Sequence, residues 1–209
     1  MVKRGRDPRA ELVEAGARVL ASEGPGALSA RSLARAAGTS TMAVYTHFGG
    51  MPAVVRAIIH EGFTRLAAEL ALVPATEDPV TDCVALALAY RRAAHRAPHM
   101  YRVMFGATGF ALTPQDRGAG LHTLRVARDV IPRCVEAGRF RPVEPWVLTR
   151  QGWCQVHGLV SLELAGFYAG PPGGDGEFRR YLVNFAVGAG DRPGAAEASV
   201  ARAFAAPVA

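Results

Sequence analysis

The stretch from Ser29 to Phe48, SARSLARAAGTSTMAVYTHF, gathers hydroxyls, a phenol, a thioether and an imidazole and contains no acidic residue. Thr41, Met42, Tyr45 and Thr46 lie within six residues of one another on its second half. Hydroxyls of this kind bond to phosphate oxygens and base edges, and a Met side chain can meet a thymine methyl. The chemistry on offer is recognition of a nucleic acid. The spacing predicts how these groups are held. A short amphipathic helix carries Leu33, Ala34, Ala36 and Ala37, stops at Gly38, and a second short helix begins three residues later. Ser29 and Ser40 are N-caps whose hydroxyls accept unpaired amides. Gly38 supplies the positive φ of a sharp turn. Two short helices joined in this way form a helix-turn-helix, the arrangement that lays a second helix in the major groove. A helical hairpin inside an all-α core is the competing reading.

The surrounding elements are legible from caps and periodicity. Asp7 and Pro8 open a first helix with Leu12, Val13, Ala17, Val19 and Leu20 on its core stripe, and Gly24-Pro25-Gly26 ends it. After Gly49-Gly50 a long helix from Met51 to about Leu72 carries Val54, Val55, Ile58, Ile59, Phe63, Leu66 and Leu70. Further helices are expected over Thr81–Arg96, His99–Phe105, Pro114–Ala137, Glu144–Tyr168 and Glu177–Val187. Pro132 should kink or divide the third of these five. No alternating strand pattern stands out. The expected fold is all-α. A three-helix DNA-binding domain over residues 7–60 precedes a larger helical domain over 61–190, and 191–209 form a frayed Ala/Gly-rich tail.

Charge agrees with that division. Eight basic and four acidic side chains fall in residues 1–56, so two thirds of the net +6 sits in about a quarter of the chain. A phosphate-binding surface needs such an excess. Three widely spaced cysteines, Cys83, Cys134 and Cys154, with no Cys-x-x-Cys pair, read as reduced thiols of a cytoplasmic protein. No segment approaches the roughly 20 apolar residues of a membrane span. His60-Glu61 and His157 near Glu163 come nearest to catalytic pairs, yet no nucleophile elbow, P-loop, dinucleotide glycine pattern or His-Glu-x-x-His supports them. No catalytic residue, metal ligand or cofactor is expected. A helical small-molecule-binding protein or enzyme without DNA activity is the alternative class. The modest total charge disfavours sequence-independent DNA packaging.

The run AELVEAGARVLASEGPGALSARSLARAAGTSTMAVYTHFGGMPAVV, with its spacing of Ala15, Gly26, Ser29, Leu33, Ala34, Gly38, Ser40, Tyr45, His47 and Phe48, resembles the TetR family of bacterial transcriptional regulators. Tyr90-Arg91, Pro98, Tyr101-Arg102 and Trp153-x-x-x-His157-Gly158 are similar to its subgroup with a WHG-type C-terminal domain. The resemblance implies a homodimeric repressor that docks on a palindromic operator in double-stranded DNA and is released by a small-molecule effector. It places Thr41, Met42 and Thr46 on base edges and Arg31 on a guanine or a phosphate. Tyr45, His47, Ser29 and the amides after Gly49-Gly50 fall on phosphates, with Phe48 as core. Lys3, Arg4 and Arg6 form an arm that adds charge. One departure stands out: Met51-Pro52 occupies the start of the next helix, where the family usually has a Lys. Backbone amides are expected to replace that contact.

In the C-terminal part, the helix holding Trp153 and His157 is apolar almost all round, so it needs partners on two faces. A second subunit is the simplest choice, giving a four-helix bundle with the Glu177–Val187 helix and the symmetry mates. His157 can be a structural hydrogen-bonder or a ligand contact. The resemblance implies an effector pocket. The side chains best suited to line it are Met100, Tyr101, Met104, Phe105, Phe110, Trp153 and His157, for a neutral or anionic, largely apolar ligand.

Overall fold

The computed structural model describes residues 7–106, 111–168 and 173–206. Regular structure among them is eleven α-helices and one 3-10 turn, with no strand. The residues group into two compact units, Met1–Leu66 with Arg96–Thr123, and Ala67–His95 with Leu124–Ala209.

In the first unit, α1 (Pro8–Glu23) starts where the Asp7 carboxylate accepts the Arg9 amide and Pro8 takes the first helical position. It buries Leu12, Val13, Ala15, Val19 and Leu20. A 3-10 turn over Pro25–Ala27 leads into α2 (Ala30–Ala37) and α3 (Thr41–Phe48), and α4 (Met51–Ala71) follows. After α5 (Pro79–Arg96), which lies almost wholly in the second unit, α6 (Pro98–Met104) and α7 (Pro114–Thr123) return to the first. The Met104 side chain of α6 lies against Gly62 on α4, where a Cβ would fall 2.7 Å from its Cγ and Sδ. The side chain of Asp116, almost wholly buried on α7, accepts from Thr113 and lies 2.8 Å from His60 Nε2 on α4.

The second unit adds α8 (Arg125–Glu136), α9 (Pro145–Leu164), α10 (Gly173–Ala189) and α11 (Pro193–Ala205). Two expectations are corrected here. The run Pro114–Ala137 does divide, but at Leu124, and Pro132 sits inside an unbroken α8. At the break the Thr123 hydroxyl shares its hydrogen between the carbonyls of Ala119, at 3.1 Å, and Phe63, at 3.4 Å. The second is the tail, which is helical over Pro193–Ala205 where fraying was expected. Pro193 starts α11, which buries Ala196, Ser199, Val200 and Ala203. A charge network anchors it: Arg139 donates to both oxygens of buried Asp191, at 2.7 and 2.6 Å, to Asp78 at 2.9 Å and to Ser199 Oγ at 2.9 Å. Ser199 and Arg202 also donate to Asp78. Burial works against the Asp78 carboxylate, yet these hydrogen bonds and the Arg139 charge hold it well below the ordinary carboxylate range. No helix among the described residues is long and apolar enough to cross a membrane.

Candidate nucleic-acid interface and apolar cavity

The expected caps are present. Ser29 Oγ accepts the Ser32 amide at 3.1 Å, while Ser32 Oγ accepts the Ser29 amide at 2.9 Å, closing a reciprocal cap. Ser32 also donates to the Ala27 carbonyl at 2.6 Å, which ties the 3-10 turn to α2. This role of Ser32 was not read from the sequence, because the usual partner three residues after the cap is Glu or Gln. Gly38 ends α2 at φ 65°, and Ser40 caps α3 through the Ala43 amide. The turn is therefore held at both ends.

α3 is pinned from below by one residue. Val44 is fully buried, and the Arg9 guanidinium lies 5.0 Å from the centre of the Phe48 ring. Thr41, Met42, Tyr45, Thr46 and His47 are all exposed, Met42 at 72% and Tyr45 at 52%. Arg31 is exposed on α2, and Ser29 is exposed beside it. The structure thus brings Ser29, Arg31, Thr41, Met42, Tyr45, Thr46 and His47 onto one short two-helix element. Phe48 is half-buried under Arg9, in keeping with a packing role. At the start of α4 the expected row of amides is shorter than the double glycine suggests. Pro52 has no N–H, Gly49 donates to Tyr45, and Ala53 and Val54 donate to Gly50, so only the Gly50 and Met51 amides remain for a phosphate. Lys3, Arg4 and Arg6 lie outside the described residues.

The second unit contains an apolar cavity of about 90 Å³ among α4, α5, α8, α9 and α10. Val84, Tyr90, Ile131, Trp153, Gln155 and Phe185 are among its walls, and no wall residue carries a charge. Trp153 Nε1 donates to Tyr90 Oη at 3.3 Å, and Tyr90 Oη lies 3.3 Å from His157 Nδ1. His157 is not in the wall; it meets Tyr90 behind it, as the structural hydrogen-bonder of the two readings. Burial lowers the His157 pKa, which favours the neutral ring. The expected ligand cluster is split by the fold. Met100, Tyr101 and Met104 are buried in the first unit, and Phe105 packs there edge-on to Phe63 at 5.8 Å and tilted to Tyr101 at 5.0 Å. Phe110 lies outside the described residues. Tyr90, Gln155, Tyr181 and Phe185 replace them in the wall of the second unit. The spacing of Leu148, Gly152, Gln155 and Leu159 puts Gln155 on the inward face of α9, a signal the aromatic residues obscured.

Residues 12–58 match the model for bacterial regulatory proteins of the tetR family, and residues 83–185 match the tetracyclin repressor-like C-terminal domain. A Rhodococcus sp. RHA1 protein of unknown function is 25% identical over 90% of this chain and 97% of its own, with a TM-score of 0.78. PfmR, a TetR family transcriptional regulator from Thermus thermophilus, is 22% identical over 87% and 99%, with a TM-score of 0.63. RolR in complex with resorcinol is 15% identical over 93% of both chains, with a TM-score of 0.68. A comparison with curated proteins gives no match. An exposed recognition helix on a capped helix-turn-helix, followed by a larger helical domain, defines a DNA-binding transcriptional regulator and not an enzyme. The chain belongs to the tetR family.

Proposed function

We propose that this regulator is a homodimeric repressor that binds a palindromic operator and leaves it when a small molecule occupies the second-unit cavity. The observation that carries the reading is α3 itself: five polar or adaptable side chains stand exposed on a helix fixed by Val44 and the Ser40 cap. Residues 7–60 do the reading, with Thr41, Met42 and Thr46 on base edges. Tyr45, His47 and Ser29 meet phosphates, Arg31 meets a guanine or a phosphate, and residues 61–190 supply dimerisation and effector binding. Such a protein works in the cytoplasm, where the DNA is.

Dimerisation falls to α9 and α10. Val147, Cys154 and Leu162 on α9 and Val187 on α10 are exposed apolar or thiol groups. A Cβ at Gly158 would meet nothing within 4 Å, so that side of α9 has room for a partner helix. Two reading heads need such a dimer to reach half-sites about 34–36 Å apart. RolR, of the same fold, has been solved with resorcinol bound, which agrees with a ligand-controlled protein. A ligand shifts the balance only if it binds the two conformations unequally.

The test is a gel shift on duplexes selected from random sequence by the wild-type protein, with light scattering alongside. The expected outcome is a dimer that prefers a palindrome, with Gly158→Arg giving monomers that no longer bind it. A wild-type monomer at micromolar concentration, or binding with no preferred sequence, refutes the reading.

A further inference from the structure

We propose that the cavity takes a compact neutral ligand with one ring and a hydroxyl group, and that Gln155 reads the hydroxyl. This rests on the reading of the cavity as the effector site. Three observations lead to it. The wall contains no charged side chain, so a carboxylate or ammonium would lose its hydration and find no counter-charge. The apolar space, about 90 Å³, is smaller than the enclosed engineered cavities of about 150 Å³ that accept benzene, so it suits one small ring rather than a long or fused one. Finally, Gln155 Oε1 is buried and has no hydrogen-bond partner among the described residues.

That last atom decides the chemistry. Tyr181 is only half-buried, and Thr149, Tyr90 and Cys83 are engaged. Thr149 donates to the Pro145 carbonyl at 2.8 Å, Tyr90 meets Trp153 and His157, and Cys83 lies 3.8 Å from Cys134. A buried acceptor left unpaired is costly, and a ligand donor that reaches it recovers the loss. A hydroxyl is donor and acceptor at once, so it serves the Gln155 amide whichever of its ends faces the cavity. A ketone or ether serves only one orientation, and a methyl group serves neither.

The experiment uses the full chain and three probes at about pH 7.5, where benzoate is ionised like any ordinary carboxylate. Phenol, toluene and benzoate are followed by calorimetry and thermal shift. Toluene is the more apolar probe, so an undecorated apolar cavity would favour it. The expected result is phenol binding about tenfold or more tighter than toluene, with no binding of benzoate. In Gln155→Leu, or in Gln155→Met should the first variant not fold, toluene binding persists and the phenol preference disappears. Ala87→Phe, which fills the cavity, abolishes both. Equal or reversed preference in the wild type, a phenol preference that survives loss of Gln155, benzoate competing for the site, or no binding of any probe overturns the proposal. DNA release is followed separately by fluorescence anisotropy. Phenol bound through Gln155 without effect on DNA leaves the ligand class standing and removes the effector reading. Benzoate displacing DNA from wild type but not from Ala87→Phe does the reverse.

Discussion

Met42 and Val44 are two residues apart on α3, and their substitution by Ala should have opposite consequences. Val44 is fully buried, whereas Met42 is 72% exposed. Val44→Ala removes two methyl groups at about 0.8 kcal/mol each. A packed surrounding that closes only partly over the gap brings the cost to about 2–3 kcal/mol. For a chain of this length that lowers Tm by roughly 4–12 °C. Well below the transition the helix is still in place, so operator affinity should stay near wild type. Met42→Ala removes a side chain that stability does not need, and Ala is a strong helix former, so Tm should move by no more than about 0.5 kcal/mol would move it. Its loss at a base edge should weaken operator binding by about 1–3 kcal/mol, or roughly 5- to 150-fold. Binding to unrelated duplex should not change, since Met carries no charge and releases no counterion. The assays are thermal unfolding by circular dichroism and fluorescence anisotropy on selected and scrambled duplexes. Unchanged operator affinity in Met42→Ala refutes its placement on DNA. A Val44→Ala protein with wild-type Tm refutes the account of how α3 is held.

Arg31→Ala should weaken binding to every duplex and, if the arginine meets a phosphate, reduce the slope of log affinity against log salt by about one, measured by titration in rising salt. Burial lowers the His157 pKa, so the unfolded chain takes up a proton more readily than the folded one. Stability from the neutral ring is complete above the ordinary value of 6.5 and is lost as pH falls below it. The Tm of the wild type should therefore drop more between about pH 7.5 and about pH 5.5 than that of His157→Gln; parallel curves would refute this. Arg139→Ala should leave the buried Asp191 carboxylate without its counter-charge, a loss of about 3–5 kcal/mol in urea unfolding. A loss below about 1 kcal/mol, the range of an exposed ion pair, would mean that the network does not anchor α11.

What the sequence determined alone is local. The caps at Asp7, Ser29 and Ser40, the turn at Gly38 and the helical stripes each depend on residues within a few positions of one another, and all are present in the structure. Thr41, Met42, Tyr45 and Thr46 were legible as a presented set, and the structure adds the reason, since Val44 is the buried residue that turns α3 to the core. What the tertiary structure decided is longer in range. Met100, Tyr101 and Met104 have the composition of a binding site, yet they lie buried in the first unit, with Phe105 half-buried against Tyr101. The cavity of the second unit lies where α4, α5, α8, α9 and α10 meet, from residues as far apart as Leu70 and Ala186. The final helix shows the same division. Its Ala/Gly composition read as frayed, because the charges that order it are Asp78, Arg139 and Asp191, brought together only when the second unit folds. Propensity and capping act within a turn or two of chain, whereas burial and ion pairing act between segments whose proximity no local pattern encodes.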